Sequence, residues 1–245
     1  MHLLPMNAPG LTLGLANAGG PVRAAGFGFA DLEAKTPLTA EHMFEIGSIT
    51  KSFVALTLLQ LRDEGKLDQR PWSESAKVRI FEPLWMRSSA AVITNETRAR
   101  RAQSYVPFFD DLTFERQGRL TPAGNLVFDN AAGSVTSTPG DMALYAQMLL
   151  RKGKGPDKRI VSEESFGLFT HPYIAAKEFS PTASYGYGIG VDKLDGRTIL
   201  RHTSGMASFM SALMACADRS GQSEERRRLC QYLCLAGWAS GGGGG

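Results

Sequence analysis

The sequence predicts an α+β fold: one antiparallel sheet formed by N- and C-terminal strands and flanked by helices. Three observations carry this. Two apolar runs surround Gly19-Gly20-Pro21 near the start, two helical patterns occupy the middle, and strand-like runs around Asp195-Gly196 return near the end. Strands at both ends with helices between them imply a sheet built from both halves of the chain.

Taken in order, "LTLGLANAGGPVRAAGFGFADL" reads as a β-hairpin, and "TPLTAEHMFEIGS" as a loop leading to Ser48. From Ile49 to about Leu61 the apolar residues Phe53, Leu56, Leu59 and Leu61 follow helical spacing, with Gly65 as the stop. "QRPWSESAKVRIFEPLWMRSSAAV" is mixed and weakly periodic, and residues 96–131 are loop-rich with scattered aromatics, Tyr105, Phe108 and Phe109 among them. A helix returns at "STPGDMALYAQMLLRKGKG". Thr138 is its expected N-cap, with Pro139 at the first position, Asp141 completing a capping box and Gly153 ending it. Its apolar face runs Met142, Tyr145, Met148, Leu149, and a shorter helix is expected from Ser162. "YGYGIGVDKLDGRTILRHTSGMASFMSALMA" supplies the last strands. From Cys216 the pattern breaks into a charged block and a glycine tail, with a helix over about Glu224 to Leu235 as the one candidate element.

At 245 residues the chain has the length of one large domain, and 43% hydrophobic with 21% charged residues is ordinary globular composition. Its net charge of +3 is too mild to point to nucleic acid or an anionic membrane. Arg226 to Arg228 reads as a solvated run rather than a phosphate site. Cys216, Cys230 and Cys234 form no C-x-x-C pair and no zinc spacing, and an odd count gives no disulfide framework. No apolar stretch approaches the roughly 20 residues a bilayer requires. The opening "MHLLPMNAPGLTLGL" has no charged n-region or sustained apolar core, so no signal peptide is read. A cytoplasmic protein is the expectation, with a lost N-terminal signal as the alternative.

The chemistry concentrates in "FEIGSITKSF". A serine hydroxyl needs an adjacent base to act as a nucleophile at neutral pH. At the start of a helix, Ser48 and Lys51 are three residues apart and share a face. Burial would favour the neutral amine of Lys51, which can take the serine proton. The competing reading makes Ser48 a helix cap and Lys51 a solvated surface residue.

The wider context resembles a known family. "FEIGSITKSF" is similar to the first motif of the serine β-lactamase and penicillin-binding-protein superfamily, in the branch related to class C β-lactamases that includes esterases and D-amino-acid-peptide hydrolases. "GFGFADLEAKTPLTAEHMF" resembles the family's approach to the nucleophile. "PLWMRSS" resembles its P-L-G-M segment with Trp85 where glycine is usual, "AAGSVTSTPGDMALYAQMLL" its later loop and helix, and "YGYGIGV" the strand before the third motif. The likeness covers about residues 10–215. In "RHTSGMASF" it places His202 in the basic position and Thr203 in the hydroxyl position of a K-T-G or H-T-G strand. Ser204 stands where glycine is typical, followed by Gly205. The resemblance therefore implies Ser48, Lys51 and His202 as catalytic residues, and Thr203, Ser204 and Gly205 as substrate-binding ones. Backbone N–H groups of that strand and of Ser48 would serve an oxyanion.

One departure bears directly on the chemistry. The family's second motif, Y-x-N or S-x-N, should lie between the Ser48 helix and "PLWM", yet residues 69–81 hold neither tyrosine nor asparagine, and no Y-x-N occurs in the chain. Tyr105 is read as core or rim, and "FDN" at 128–130 offers an asparagine without a phenol. The resemblance thus implies one β-lactamase-related domain over 1–245, a shortened helical and loop subdomain at 69–135, and an atypical, partly disordered tail at 216–245. The expected function is hydrolysis of an ester or amide (β-lactam, ester or D-amino-acid peptide) through an acyl-serine, with turnover impaired by the lost tyrosine. The alternatives are a non-catalytic ligand-binding relative and a truncated gene product. The partner implied is a small-molecule acyl substrate. No cofactor, metal, nucleic acid or membrane is implied, and oligomeric state stays open.

Overall fold

The computed structural model describes residues 8–66, 69–107, 120–124, 129–177, 179–194, 196–206, 209–217 and 234–238. Phe108, Phe109, Asp195, Arg226 to Arg228, Cys230 and most of the expected 224–235 helix lie outside the described residues.

The N-terminal hairpin forms as its alternation predicts, with β1 (Gly10–Leu15) antiparallel to β2 (Arg23–Asp31). Short β3 (Thr36–Pro37) lies on the outer edge of β2. From the other end come β8 (Ile174–Ala175), β9 (Ser184–Tyr185), β10 (Gly190–Leu194), β11 (Arg197–Met206) and β12 (Phe209–Ala217). The two halves join through β13 (Cys234–Trp238), which pairs with β1 on one side and β12 on the other. Among the described residues the result is a nine-stranded sheet in the order β3-β2-β1-β13-β12-β11-β10-β9-β8, antiparallel throughout. Cys234 and Leu235, the end of the expected C-terminal helix, are strand instead. In that position their backbone groups complete ladders with two neighbours, which a helix there would leave open.

Two helices form the inner layer. α1 (Thr50–Glu64) buries Phe53, Leu56 and Leu59, and ends in a left-handed Gly65. Complete burial of one such side chain stabilises the fold by about 1.5–3 kcal/mol. α4 (Pro139–Leu150) packs on β1, β2, β12 and β13 and buries Met142, Tyr145, Met148 and Leu149, the face its spacing predicts. Tyr145 stacks on Phe53 with ring centroids 4.0 Å apart, and its hydroxyl donates to Ser52 Oγ at 2.8 Å, tying α4 to α1. Thr138 caps α4 by accepting from the Asp141 N–H, but Asp141 does not close a capping box. Its carboxylate accepts instead from Ser88 N–H at 2.7 Å and Ser89 Oγ at 2.8 Å, so a tertiary contact takes the side chain from the local one. α5 (Glu163–Phe169) starts at Ser162, whose hydroxyl accepts from the Ser165 N–H.

The weakly periodic stretch after α1 is helical. α2 (Trp72–Ala76) widens into a π-helical turn over Lys77–Phe81 and buries Ala76, Ile80 and Phe81 in the main core. It ends at Trp85, at a φ of 61°. Trp85 N–H donates to Glu82 O and Met86 N–H to Phe81 O, the bond pair of a Schellman cap with Trp85 in the left-handed position. Glycine is preferred there because a Cβ is strained at that φ. α3 (Asn95–Ala99) follows, capped by Thr94. Two small ladders complete the described architecture: β4 (Phe44–Glu45) with β7 (Thr136–Ser137), and β5 (Tyr105–Pro107) with β6 (Leu120–Pro122). Among the described residues no helix is long and apolar enough to cross a membrane.

Candidate active site

Ser48 lies in a tight 3₁₀ turn, Gly47–Ile49, that leads from β4 into α1 and packs against β11 and β12. Gly47 has a φ of 46°, and a Cβ there would lie 2.0 Å from Ser204 Oγ, so only glycine suits the turn. Ser48 is not the helix cap: α1 begins after Ile49, and neither turn nor helix carries a side-chain capping bond. Its hydroxyl turns to Lys51 instead. Lys51 Nζ lies one helical turn on, within hydrogen-bond reach of Ser48 Oγ at 2.7 Å.

Lys51 is half-buried and held from a second direction, donating to the Ala132 carbonyl oxygen at 3.1 Å. That carbonyl is fixed by a turn in which Asn130 Oδ1 accepts from Ala132 N–H at 2.8 Å. The same segment is bound to the Ser48 turn: Ile46 N–H donates to Val135 O and Val135 N–H to Thr50 Oγ1. Asn130 Oδ1 thus shapes the wall beside the lysine. Tyr105 is 3% exposed, accepts from Leu32 N–H and donates to Asp31 Oδ1, a core role consistent with its reading as core or rim.

β11 brings the third segment to the same place. His202 is half-buried, Thr203 and Gly205 are exposed, and Ser204 is buried. Ser204 Oγ accepts from the Ser48 backbone N–H at 2.6 Å. His202 Nδ1 lies 2.7 Å from the Thr203 carbonyl oxygen, and Nε2 2.7 Å from the Tyr185 hydroxyl. Burial lowers the His202 pKa, the Thr203 carbonyl opposes this, and the nearby Lys51 charge adds to the lowering. Tyr185 itself is pushed up by burial. This phenol has no signature in the sequence motifs beyond its place in "YGYGIGV". Its partner stands 17 residues on, and only the β9-β10-β11 order brings them together.

A cavity of about 490 Å³ opens beside Lys51. One wall is the α1 face of Val54, Ala55 and Leu58, and the other includes Tyr185 and Tyr187. Its volume falls within the roughly 300–1,000 Å³ of small-molecule sites. Among the described residues no three of His, Cys, Asp and Glu converge as a metal would need. The arrangement can offer a hydroxyl, an amine within reach of it, a half-buried imidazole and an apolar wall, which are the parts of acyl transfer to serine.

The protein-family model described as Beta-lactamase matches residues 5–70 and 66–219. The chain belongs to the beta-lactamase family. Within that family's fold it is similar to several solved structures. The octameric penicillin-binding protein homologue from Pyrococcus abyssi is 18% identical, with a TM-score of 0.77 over 96% of this chain and 70% of that one. The D-amino acid amidase from Ochrobactrum anthropi SV3, complexed with L-phenylalanine amide, is 19% identical, with a TM-score of 0.67 over 94% of this chain and 86% of that one. The penicillin binding protein from Bacillus halodurans is 14% identical, with a TM-score of 0.71 over 94% and 91%. In sequence, the mitochondrial serine beta-lactamase-like protein LACTB of Homo sapiens is 38% identical over 63 residues. Those residues are 26% of this chain and 12% of the human protein, so the match spans a small part of that relative. These likenesses agree with the α+β architecture.

Proposed function

We propose that this beta-lactamase-family chain is a serine hydrolase acting on an ester or amide through an acyl-Ser48 intermediate. The observation that carries the reading is the 2.7 Å separation of Lys51 Nζ and Ser48 Oγ, in a turn packed on β11 and next to the Lys51 cavity. Lys51 in its neutral form takes the Ser48 proton as Oγ bonds to the carbonyl carbon. It then returns that proton to the leaving alcohol or amine. Half-burial and the Ala132 carbonyl keep Nζ aimed at the hydroxyl, which supports Lys51 as base. His202 and Thr203 line a smaller pocket that shares Tyr185 with the Lys51 cavity, which supports them, with Gly205 next on the same strand, as contacts for the substrate. The apolar α1 wall beside Lys51 favours a substrate whose acyl part is itself apolar.

No Y-x-N tyrosine exists in the chain to activate water for the second half of the reaction. Acylation therefore outpaces deacylation, and acyl-Ser48 accumulates. The test is intact-mass detection after treatment with a fluorophosphonate or a fluorescent penicillin. One adduct per chain is expected, absent in Ser48→Ala. A folded wild type that never acquires the adduct would turn the reading toward a non-catalytic ligand-binding relative.

A further inference from the structure

We propose that the Ser204 hydroxyl occupies the oxyanion position at Ser48, making Ser204 the residue that limits how fast Ser48 is acylated; this rests on the hydrolase reading above. The Ser48 N–H is the donor an acyl oxygen must reach, since it belongs to the same residue as the attacking hydroxyl. That N–H already donates to Ser204 Oγ at 2.6 Å. Oxyanion donors work at about 2.7–3.1 Å from the developing charge, so Ser204 Oγ stands where the substrate oxygen would stand. One N–H cannot serve two oxygens with good alignment, because the bond weakens steeply away from linearity.

The surroundings hold the hydroxyl in place. Ser204 is 7% exposed, and its register partner on β12 is Ser211, itself 4% exposed. The space its hydroxyl fills is the space Gly47 leaves: a Cβ on residue 47 would lie 2.0 Å from Ser204 Oγ and 3.3 Å from Ser204 Cβ. Gly47 and Ser204 are thus a matched pair, one lacking a side chain where the other inserts one. A glycine at 204, the residue typical of the family motif, would leave the Ser48 N–H facing the cleft. For acylation the Ser204 side chain has to rotate away and leave a buried position, which costs rate at every turnover. Removal of one oxyanion donor slows hydrolases by about 10²–10³-fold, which bounds what relief of the block can return.

The experiment measures the rate of fluorophosphonate adduct formation at Ser48 in the full chain for wild type, Ser204→Ala and Ser204→Gly, with Ser48→Ala as blank. Both Ser204 variants are expected to label at least ten times faster than wild type. Hydrogen exchange at the Ser48 amide, read by NMR without any reagent, is expected to be faster in Ser204→Ala. If wild type labels and the Ser204 variants label no faster, the block is overturned while the hydrolase reading stands. If no protein labels, the hydrolase reading falls. In that case unchanged exchange at the Ser48 amide between wild type and Ser204→Ala also removes the contact on which the block rests.

Discussion

Tyr185 donates its hydroxyl proton to His202 Nε2 at 2.7 Å, a direction set by the far side of the ring. A carbonyl oxygen can only accept, so the 2.7 Å contact of Nδ1 with Thr203 O places the ring proton on Nδ1. The lone pair of Nε2 is then committed to Tyr185. His202 is in this state a neutral, doubly engaged imidazole.

A pH dependence follows with a definite sign. Burial depresses the His202 pKa in the folded chain, whereas in the unfolded chain it titrates at its ordinary value of 6.5. Between those two values the unfolded state binds more protons, so stability rises with pH. The contribution is present above 6.5 and is lost as pH falls from there through the folded value. Imidazole resonances followed by NMR should show His202 titrating below the exposed histidine range. In Tyr185→Phe, which removes the hydrogen bond to the neutral ring, its pKa should move up.

Lys51 separates catalysis from stability. Lys51→Ala and Lys51→Arg should each slow adduct formation at Ser48 by about 10²–10⁴-fold, the range of a lost general base. Arginine fails because its guanidinium stays charged. Thermal midpoints should move little, since the lost bonds to Ser48 and Ala132 contribute only about 0.5–1.5 kcal/mol each. A large loss of stability together with intact labelling would contradict the role of base.

Trp85 stands in a conformation made for glycine, with φ at 61°. An L-residue in that region costs about 1–2 kcal/mol. The Trp85 side chain is 49% exposed, so it recovers little through packing. Trp85→Gly is expected to stabilise by about 1 kcal/mol, which for a chain of this size is a rise of roughly 2–4 °C in Tm. A differential scanning calorimetry trace with a lower Tm would show that the indole contacts outweigh the strain.

Arg101 and Glu45 form a buried ion pair, with side chains 4% and 3% exposed. Burial pushes the Glu45 carboxyl up and Arg101 opposes that shift. Arg101 also lies over the Phe209 ring, 6.0 Å from its centroid. Arg101→Met leaves a buried carboxylate uncompensated and should cost about 3–5 kcal/mol. The double variant Arg101→Met with Glu45→Gln should recover part of that. Urea unfolding of the two single variants and the double one closes the cycle.

How much of this was legible in the sequence depends on where each interaction closes. α1, α4 and the first hairpin repeat apolar residues at periods the chain itself displays, so their buried faces Phe53-Leu56-Leu59 and Met142-Tyr145-Met148-Leu149 are readable. α2 and its π-helical extension are too short and mixed for a period to emerge, and only packing on Phe53 and the rest of the core defines them. Asp141 reads as a capping-box member because its local partner is three residues away. Its actual partners, Ser88 and Ser89, lie more than fifty residues away in sequence. The site divides in the same way. Ser48 and Lys51 meet within one helical turn, and the glycine departures at Trp85 and Ser204 are visible against a family pattern. The Ser204 contact with Ser48 N–H and the Tyr185 contact with His202 are products of strand order.

The place of β13 in that order has a further consequence, for biosynthesis. The β1–β2 hairpin leaves the ribosome about two hundred residues ahead of β13, but the inner flank of β1 is completed by Leu11 to Gly14 pairing with Cys234 to Gly237. The nascent chain therefore carries an open β1 edge throughout the synthesis of the residues between β1 and β13, and such an edge is a template for pairing with other chains. Only when β13 emerges do the two half-sheets zip together. A chaperone that shields that edge would be needed longest for this one strand, and ribosome stalling before Cys234 would leave the hairpin without its partner.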